Sequence, residues 1–357
     1  MKKHNYSAGP CILPQEVFQK AAQAVLNFNN SGLSILEISH RSADFVAVME
    51  EARALALDLL GLTGKGYQAL FLQGGASLEF LRVPQNLMNE NGKAAYLDTG
   101  TWANGAIKEA KAFGETVVVA SSKDANYTFI PKDYSIPTDS DYFHCTSNNT
   151  IFGTQMKSFP QASIPVVCDM SSDIFSRSLD FSKFDIIYAG AQKNMGPAGT
   201  TLVVVKEDIL GKTNRSIPNI LSYQQHIVKE SMYNTPPVFA VYTSLLTLQW
   251  LKAKGGIAAI EKENEAKATL LYNEIDRNPL FKGAAVKEDR STMNATFLLA
   301  DENHKETFDK MWKAAGISGI NGHRSVGGYR ASMYNALPLE SVQVLVNVMQ
   351  ELKNSIQ

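Results

Sequence analysis

Seven short apolar runs set the first limit on how this chain can fold. They occupy 66–72, 93–98, 115–120, 141–146, 165–169, 184–189 and 199–205. Several are continuously apolar, as in Leu202-Val203-Val204-Val205. A strand solvated on one face alternates polar with apolar residues, whereas a strand covered on both faces does not. Helical patterns separate the runs throughout 15–255. The expected fold class is therefore α/β, built on a mainly parallel sheet with helices against it.

The remainder has a different rhythm. Thr235-Pro236-Pro237 reads as a helix start, with proline suited to the first turn. That helix runs to Lys254 and stops at Gly255-Gly256, a natural C-cap. A long helix over 257–278 leads to a strand at 295–299, a helix at 305–315, a strand at 329–334 and a final helix. The last carries Val342, Leu345, Val346, Met349 and Leu352 on one face. The chain thus divides into a large domain, 15–256, and a smaller α+β domain, 257–357 with its linking helix, to which 1–14 is assigned. At 357 residues it is long enough for two cores.

Charge and cysteine usage narrow the function classes. The 34 Lys and Arg nearly balance 35 Asp and Glu, so neither nucleic acid nor a membrane surface is the expected partner. Anion binding must come from local clusters. Cys11, Cys145 and Cys168 form no CxxC, and their odd number argues for a reducing compartment. Cys145 and Cys168 read as small buried residues at strand ends, Cys11 as exposed. The basic start MKKHNYSAGP lacks the apolar stretch of a secretory signal. No apolar run approaches the ~20 residues of a membrane helix. A cytoplasmic location is expected, and no metal site.

Ligands of open parallel sheets sit beyond the carboxyl ends of the strands. Asp169 follows one run and Gly190-Ala191-Gln192-Lys193 the next. Gln73-Gly74-Gly75-Ala76-Ser77 and Thr146-Ser147-Asn148-Asn149-Thr150 follow two others. Alone, such a lysine is usually a solvated surface group, such an aspartate a helix cap, and such a Gly-Gly a turn. Together they suit pyridoxal phosphate. That cofactor needs a lysine for its Schiff base and a carboxylate for its ring nitrogen. Its phosphate needs backbone N–H donors at a helix start.

Six segments carry a resemblance across almost the whole chain: Tyr6-Ser7-Ala8-Gly9-Pro10, Ile38-Ser39-His40-Arg41-Ser42, 72–77, 192–199, Tyr233-Asn234-Thr235-Pro236-Pro237 and 322–335. They resemble the phosphoserine aminotransferases, of the class V pyridoxal-phosphate-dependent aminotransferases. The resemblance implies the fold-type-I architecture and a homodimer with shared active sites. It implies that Lys193 binds the cofactor and moves the proton at Cα, and that Asp169 pairs with the ring nitrogen. Trp102 is implied to stack on the ring; without the resemblance it reads as a core or interface aromatic. Ala76, Ser77 and Gln192 are implied to hold the phosphate, and Thr150 the 3′ oxygen. Asn234 and Thr235 are implied to reach the phosphate from a second subunit. Some members carry Arg where this chain has Ser77, so this phosphate cup rests on neutral donors and a helix start.

On the substrate side the resemblance implies that Arg330 clamps the α-carboxylate. His40, Arg41, His323 and Arg324 are implied to hold a second anionic group, and Ser7 to add a hydroxyl. By their own sequence, His323-Arg324 read equally as a solvated loop between glycines. The implied reaction is reversible amino transfer from glutamate to 3-phosphonooxypyruvate, a phosphorylated 2-oxo acid, in serine biosynthesis. The resemblance further implies a phosphorylated hydroxythreonine precursor in pyridoxine biosynthesis as a second substrate. Within this fold a transaminase with a different small amino donor stays open, although the paired His-Arg segments argue for an anionic, phosphorylated partner; the remaining readings lack their residues. A cysteine desulfurase needs a nucleophilic cysteine on a mobile loop, for which Cys11 is the one exposed candidate. A nicotinamide-dependent oxidoreductase wants GxGxxG after an early strand, which is missing. A non-catalytic binding protein with this fold would have no need of Lys193.

Overall fold

The computed structural model describes residues 3–356, so residues 1, 2 and 357 of the expected small domain lie outside it. All seven expected strands join one sheet. They are β1 (Tyr67–Leu72), β2 (Lys93–Asp98), β3 (Glu115–Ser121), β4 (Phe143–Thr146), β5 (Val166–Asp169), β6 (Ile186–Gly190) and β7 (Thr201–Lys206). Their order is β1-β7-β6-β5-β4-β2-β3. Strands β6 through β3 pair in parallel, whereas β7 runs antiparallel to both neighbours. Only 191–200 joins β6 to β7. A parallel crossover needs a dozen residues or more, so this short link can only turn the chain back.

The unbroken apolarity of the strands follows from two cores, one on each face. Along β7, Leu202 and Val204 enter a core with α2 (Ala43–Leu59) and α7 (Val238–Ala253). Val203 and Val205 enter the opposite core with α3 (Gly75–Leu87) and α4 (Thr101–Ala110). The period-two pleat sends alternate residues to opposite faces, so a strand sandwiched this way has no polar side. Cys145 and Cys168 are fully buried neighbours on β4 and β5, as their sequence suggested.

A third core forms around α8 (Gly256–Arg277) and an antiparallel sheet of β8 (Phe281–Gly283), β9 (Asn294–Leu299) and β10 (Tyr329–Ser332). The helices α9 (Lys305–Ala314) and α10 (Leu339–Ile356) cover it. Val342, Leu345, Val346, Met349 and Leu352 are all buried here, as the spacing of the final helix required. Tyr6 and Ile12 belong to the same core. His4–Asn5 adds a short parallel pairing with Ile317–Ser318, and the Tyr6 hydroxyl donates to the Ser341 carbonyl at 2.6 Å.

One boundary differs from the sequence reading. The helix expected to open at Thr235 begins at Val238, with Pro237 in the cap position. The Thr235 carbonyl is instead engaged by the Gln73 side-chain amide at 2.7 Å, which keeps this approach extended. At its other end Gly255 takes φ +99°, a left-handed turn that glycine adopts without a Cβ penalty. Among the described residues, no helix is long and apolar enough to cross a membrane.

Candidate active site

The carboxyl ends of the parallel strands gather the expected groups. Lys193 lies on a four-residue helix, Ala191–Asn194, directly after β6. Its Nζ donates to Thr150 Oγ1 at 2.8 Å and stands 5.7 Å from the centre of the Trp102 ring. Burial lowers the pKa of the amine to about 8, with the nearby Arg330 cation acting in the same direction and Asp169 opposing. Asp169 ends β5, buried on the strand beside Lys193's own. Burial raises the pKa of its carboxyl, while the Ser171 N–H given to Oδ1 at 2.9 Å and the charge of Lys193 favour the ionised form.

The glycine turn after β1 behaves as an anion seat. Gly74 at φ +109° and Gly75 at φ +65° take conformations that suit glycine. They aim the start of α3 outward with no side chain capping it. The first hydrogen bond of that turn runs from Leu78 N to Gly74 O at 3.4 Å. The backbone N–H groups of Ala76 and Ser77 therefore remain available to an anion. Ser77 and Trp102 face a common cleft of about 470 Å³ with Thr101 and Tyr127. Gln192 folds its side chain over Gly190, where an added Cβ would meet Gln192 Oε1 at 2.7 Å. Asn234 donates to Gln73 Oε1 at 3.3 Å, so the exposed Asn234-Thr235 pair sits against the root of this turn.

Arg330 sits on β10, opposite Thr296 of β9. Its Nε is buried with no hydrogen-bond partner, and no carboxylate among the described residues forms an ion pair with it. Burial lowers its pKa, since the charged form has lost water. An unpaired, desolvated guanidinium is costly and calls for an anion. His323 and Arg324 stand on a loop closed by Gly322 N to Gly328 O at 2.9 Å. Val326 of this loop packs on Tyr127, Ile151 and Phe152, beside Thr150. His323 Nδ1 pairs with Ser325 Oγ at 2.7 Å. Its pKa is lowered by partial desolvation and by the charges of Arg330 and Arg324.

The remaining expected residues are placed less directly. Ser7 packs against Gly319, where a Cβ would lie 2.2 Å from its Oγ, and its N–H donates to Asn5 Oδ1 at 3.0 Å. His40 and Arg41 lie on the turn before α2, half-buried and exposed respectively. Among the described residues, no hydrogen bond or ion pair ties either side chain to the Lys193 cluster.

Cys11 corrects its sequence reading. It is half-buried rather than exposed. Its thiol donates to the Lys193 carbonyl, and its N–H donates to the Gln192 carbonyl at 3.1 Å. Burial pushes the thiol up to about 12, so it is no nucleophile at neutral pH. Gly9 lies against the same turn, where a Cβ would come within 3.2 Å of Lys193 Cγ. Asn194 entered only as part of the segment 192–199 and was given no role of its own; its more distant partner, Asn335, lies 141 residues away.

The donor set fits pyridoxal phosphate. An amine of lowered pKa faces a buried carboxylate and a hydroxyl. A partly exposed indole stands over the amine, and an uncapped helix start adjoins the same cleft. Comparison with known proteins agrees. The family model for class-V aminotransferases matches residues 4–345. Phosphoserine aminotransferase of Flavobacterium psychrophilum is 81% identical over 356 residues, covering 100% of both chains. Among solved structures, phosphoserine aminotransferase from Bacillus circulans subsp. alkalophilus superposes with a TM-score of 0.96 at 43% identity, covering 100% of this chain and 99% of that one. The PLP-bound phosphoserine aminotransferase of Trichomonas vaginalis gives a TM-score of 0.92 at 35% identity, with coverage of 98% and 100%. Built on this sheet, around this lysine, the chain belongs to the phosphoserine aminotransferases of the class-V aminotransferase family.

Proposed function

We propose that this chain is a pyridoxal-phosphate-dependent transaminase that moves an amino group reversibly between glutamate and 3-phosphonooxypyruvate, serving serine biosynthesis. The observation that carries the reading is the setting of Lys193, whose Nζ meets Thr150 Oγ1 and the Trp102 ring, beside a strand that ends in buried Asp169 and in the field of Arg330, whose Nε has no partner.

Lys193, Asp169, Thr150, Trp102 and the turn at Ala76-Ser77 would hold the cofactor, with Gln192 beside the phosphate. When bound, pyridoxal phosphate supplies an aldehyde for the amino group and a protonated ring that draws electrons from the substrate Cα. Asp169 has one oxygen on Ser171 N–H and offers the other to keep the ring nitrogen protonated. Lys193 Nζ would take the proton from the substrate Cα and deliver it on the cofactor side, and would run the same transfer backwards in the second half-reaction; a pKa near the working pH serves both directions. Thr150 Oγ1 orients that amine, and Trp102 keeps water from one face of the ring. Arg330 gives the α-carboxylate a bidentate seat. His323 and Arg324, with His40 and Arg41, bind the second anionic group, and Ser7 adds a hydroxyl.

The exposure of Asn234 and Thr235 beside the phosphate turn supports a homodimer in which they reach a partner's cofactor. The third core, with Tyr6 and Ile12 in it, supports a small domain of 1–14 and 257–357 beside a large one of 15–256. A cytoplasmic site of action accords with free thiols at all three cysteines.

The test uses protein loaded with pyridoxal phosphate, phosphoserine and 2-oxoglutarate, with glutamate formation followed. Glutamate from phosphoserine but not serine, abolished in Lys193→Ala, is expected. A yellow protein without turnover would overturn the substrate assignment.

A further inference from the structure

Asn194 follows Lys193 directly, and its buried carboxamide reaches in two directions. Nδ2 donates to the Ile174 carbonyl at 2.5 Å, in the segment that leaves Asp169. Oδ1 accepts from the Asn335 backbone N–H at 2.9 Å, just beyond the Arg330 strand. Asn335 extends the link. Its Nδ2 donates to the Phe175 carbonyl at 2.9 Å, and its Oδ1 accepts from Asn264 Nδ2 of α8 at 2.9 Å. Asn264 Nδ2 also donates to the Ser176 carbonyl at 2.9 Å. Phe175 sits at φ +58°, a left-handed conformation that bulky residues adopt rarely and keep only when their surroundings impose it.

This node lies where the two halves of the site meet. Lys193 and Asp169 come from the large sheet, whereas Arg330 comes from the small one. Nothing in either sheet fixes the separation between them. We propose that Asn194 and Asn335 are positioning residues: their buried amides lock the Lys193 turn, the segment behind Asp169 and the Arg330 strand into one arrangement, so that the clamped substrate presents its Cα to the lysine. The role given to Arg330 rests on the function proposed above. A carboxamide suits the task because one rigid group both donates and accepts. Lys267 reinforces the same junction from α8, donating to the carbonyls of Met333 at 3.0 Å and Tyr334 at 2.9 Å.

A node that merely glued the cores together would lower the melting temperature and leave the chemistry intact. The test separates the two. Holoenzyme variants Asn194→Ala and Asn335→Ala are measured for kcat, for KM toward phosphoserine, for melting temperature, and for the pH midpoint of the bound cofactor's visible absorbance. The charged and titratable groups facing Lys193 Nζ are Asp169, Arg330, Asp173 and Cys11, and Arg330 alone stands on the small sheet. Loosening the node withdraws this cation. The expected result is a raised KM, a loss in kcat/KM on the order of 10²-fold, and an absorbance midpoint moved to higher pH. A lowered melting temperature with KM and midpoint both unchanged would overturn the proposal. If Asn194→Ala does not fold, Asn335→Ala decides alone, because it keeps the backbone N–H given to Asn194 and loses only side-chain bonds. If the wild type fails to transaminate phosphoserine, the functional reading falls, and the absorbance midpoint still decides the node.

Discussion

The most direct consequence of the Lys193 environment is a lysine of which a substantial fraction is neutral near physiological pH. An ordinary lysine side chain titrates at 10.5, and burial with help from Arg330 brings this one to about 8. At about pH 7.5 roughly a quarter of the Lys193 amines are then neutral, against about 0.1% for an ordinary lysine, a gain of about 240-fold in reactive amine. The perturbation is Arg330→Met, which removes a like charge and must move the Lys193 midpoint upward. The assay strips the protein of cofactor, exposes it briefly to a limiting amine-acylating reagent across a pH series, and quantifies Lys193 by mass spectrometry against an exposed lysine. A wild-type midpoint near 8, rising in Arg330→Met, is expected. A wild-type midpoint near that of an ordinary lysine, or a fall in the variant, would refute the electrostatic argument for the site.

Three further outcomes follow from particular contacts. Buried Lys267 titrates at about 7 instead of 10.5, so between those values the unfolded chain binds more protons and stability rises with pH. Its two carbonyl acceptors favour the ammonium, which makes a gain of about 2 kcal/mol between pH 7 and 9 the ceiling; Lys267→Met should flatten the urea midpoint over that range. Gly74→Ala places a Cβ 2.4 Å from Leu78 Cδ2 at φ +109°; strain of about 1–3 kcal/mol should weaken cofactor affinity roughly five- to 150-fold by equilibrium dialysis. Val326→Ala trims the contact that seats the His323-Arg324 loop on Tyr127 and Phe152; a cost of about 1 kcal/mol should raise KM for phosphoserine about fivefold while cofactor affinity holds.

How much of this was legible depended on the range of the interaction. The strands could be located because burial on both faces leaves a local mark, an unbroken apolar run such as that ending β7. Strand direction leaves none, so the reversed β7 inside a parallel sheet appears only in the pairing. Lys193, Asp169 and the Gly74-Gly75 turn could be found because each stands at or just beyond the carboxyl end of a strand, where sheet geometry gathers ligands. The helix at Val238 was placed too early, since Gln73 competes for the Thr235 carbonyl from a distant segment. Asn194 and Cys11 escaped for the same reason. Their partners, Asn335 and the Lys193 carbonyl, are 141 and 182 residues away, and no local pattern encodes such a contact.

The anchoring of the first residues also bears on how the protein is made. His4–Asn5 pairs with Ile317–Ser318, Tyr6 bonds to Ser341 across 335 residues, and the same segment then lies along the Lys193 turn. A ribosome delivers Tyr6 of this segment 335 residues before its Ser341 anchor. Loops of that span close late in folding, so the leading residues must wait undocked while the large sheet assembles behind them. Chains cut short before α10 would possess the lysine and the phosphate turn, yet lack the Ser341 anchor that draws the leading segment toward the catalytic turn. The reactive lysine therefore acquires its full surroundings only after the Ser341 anchor on α10 has been made.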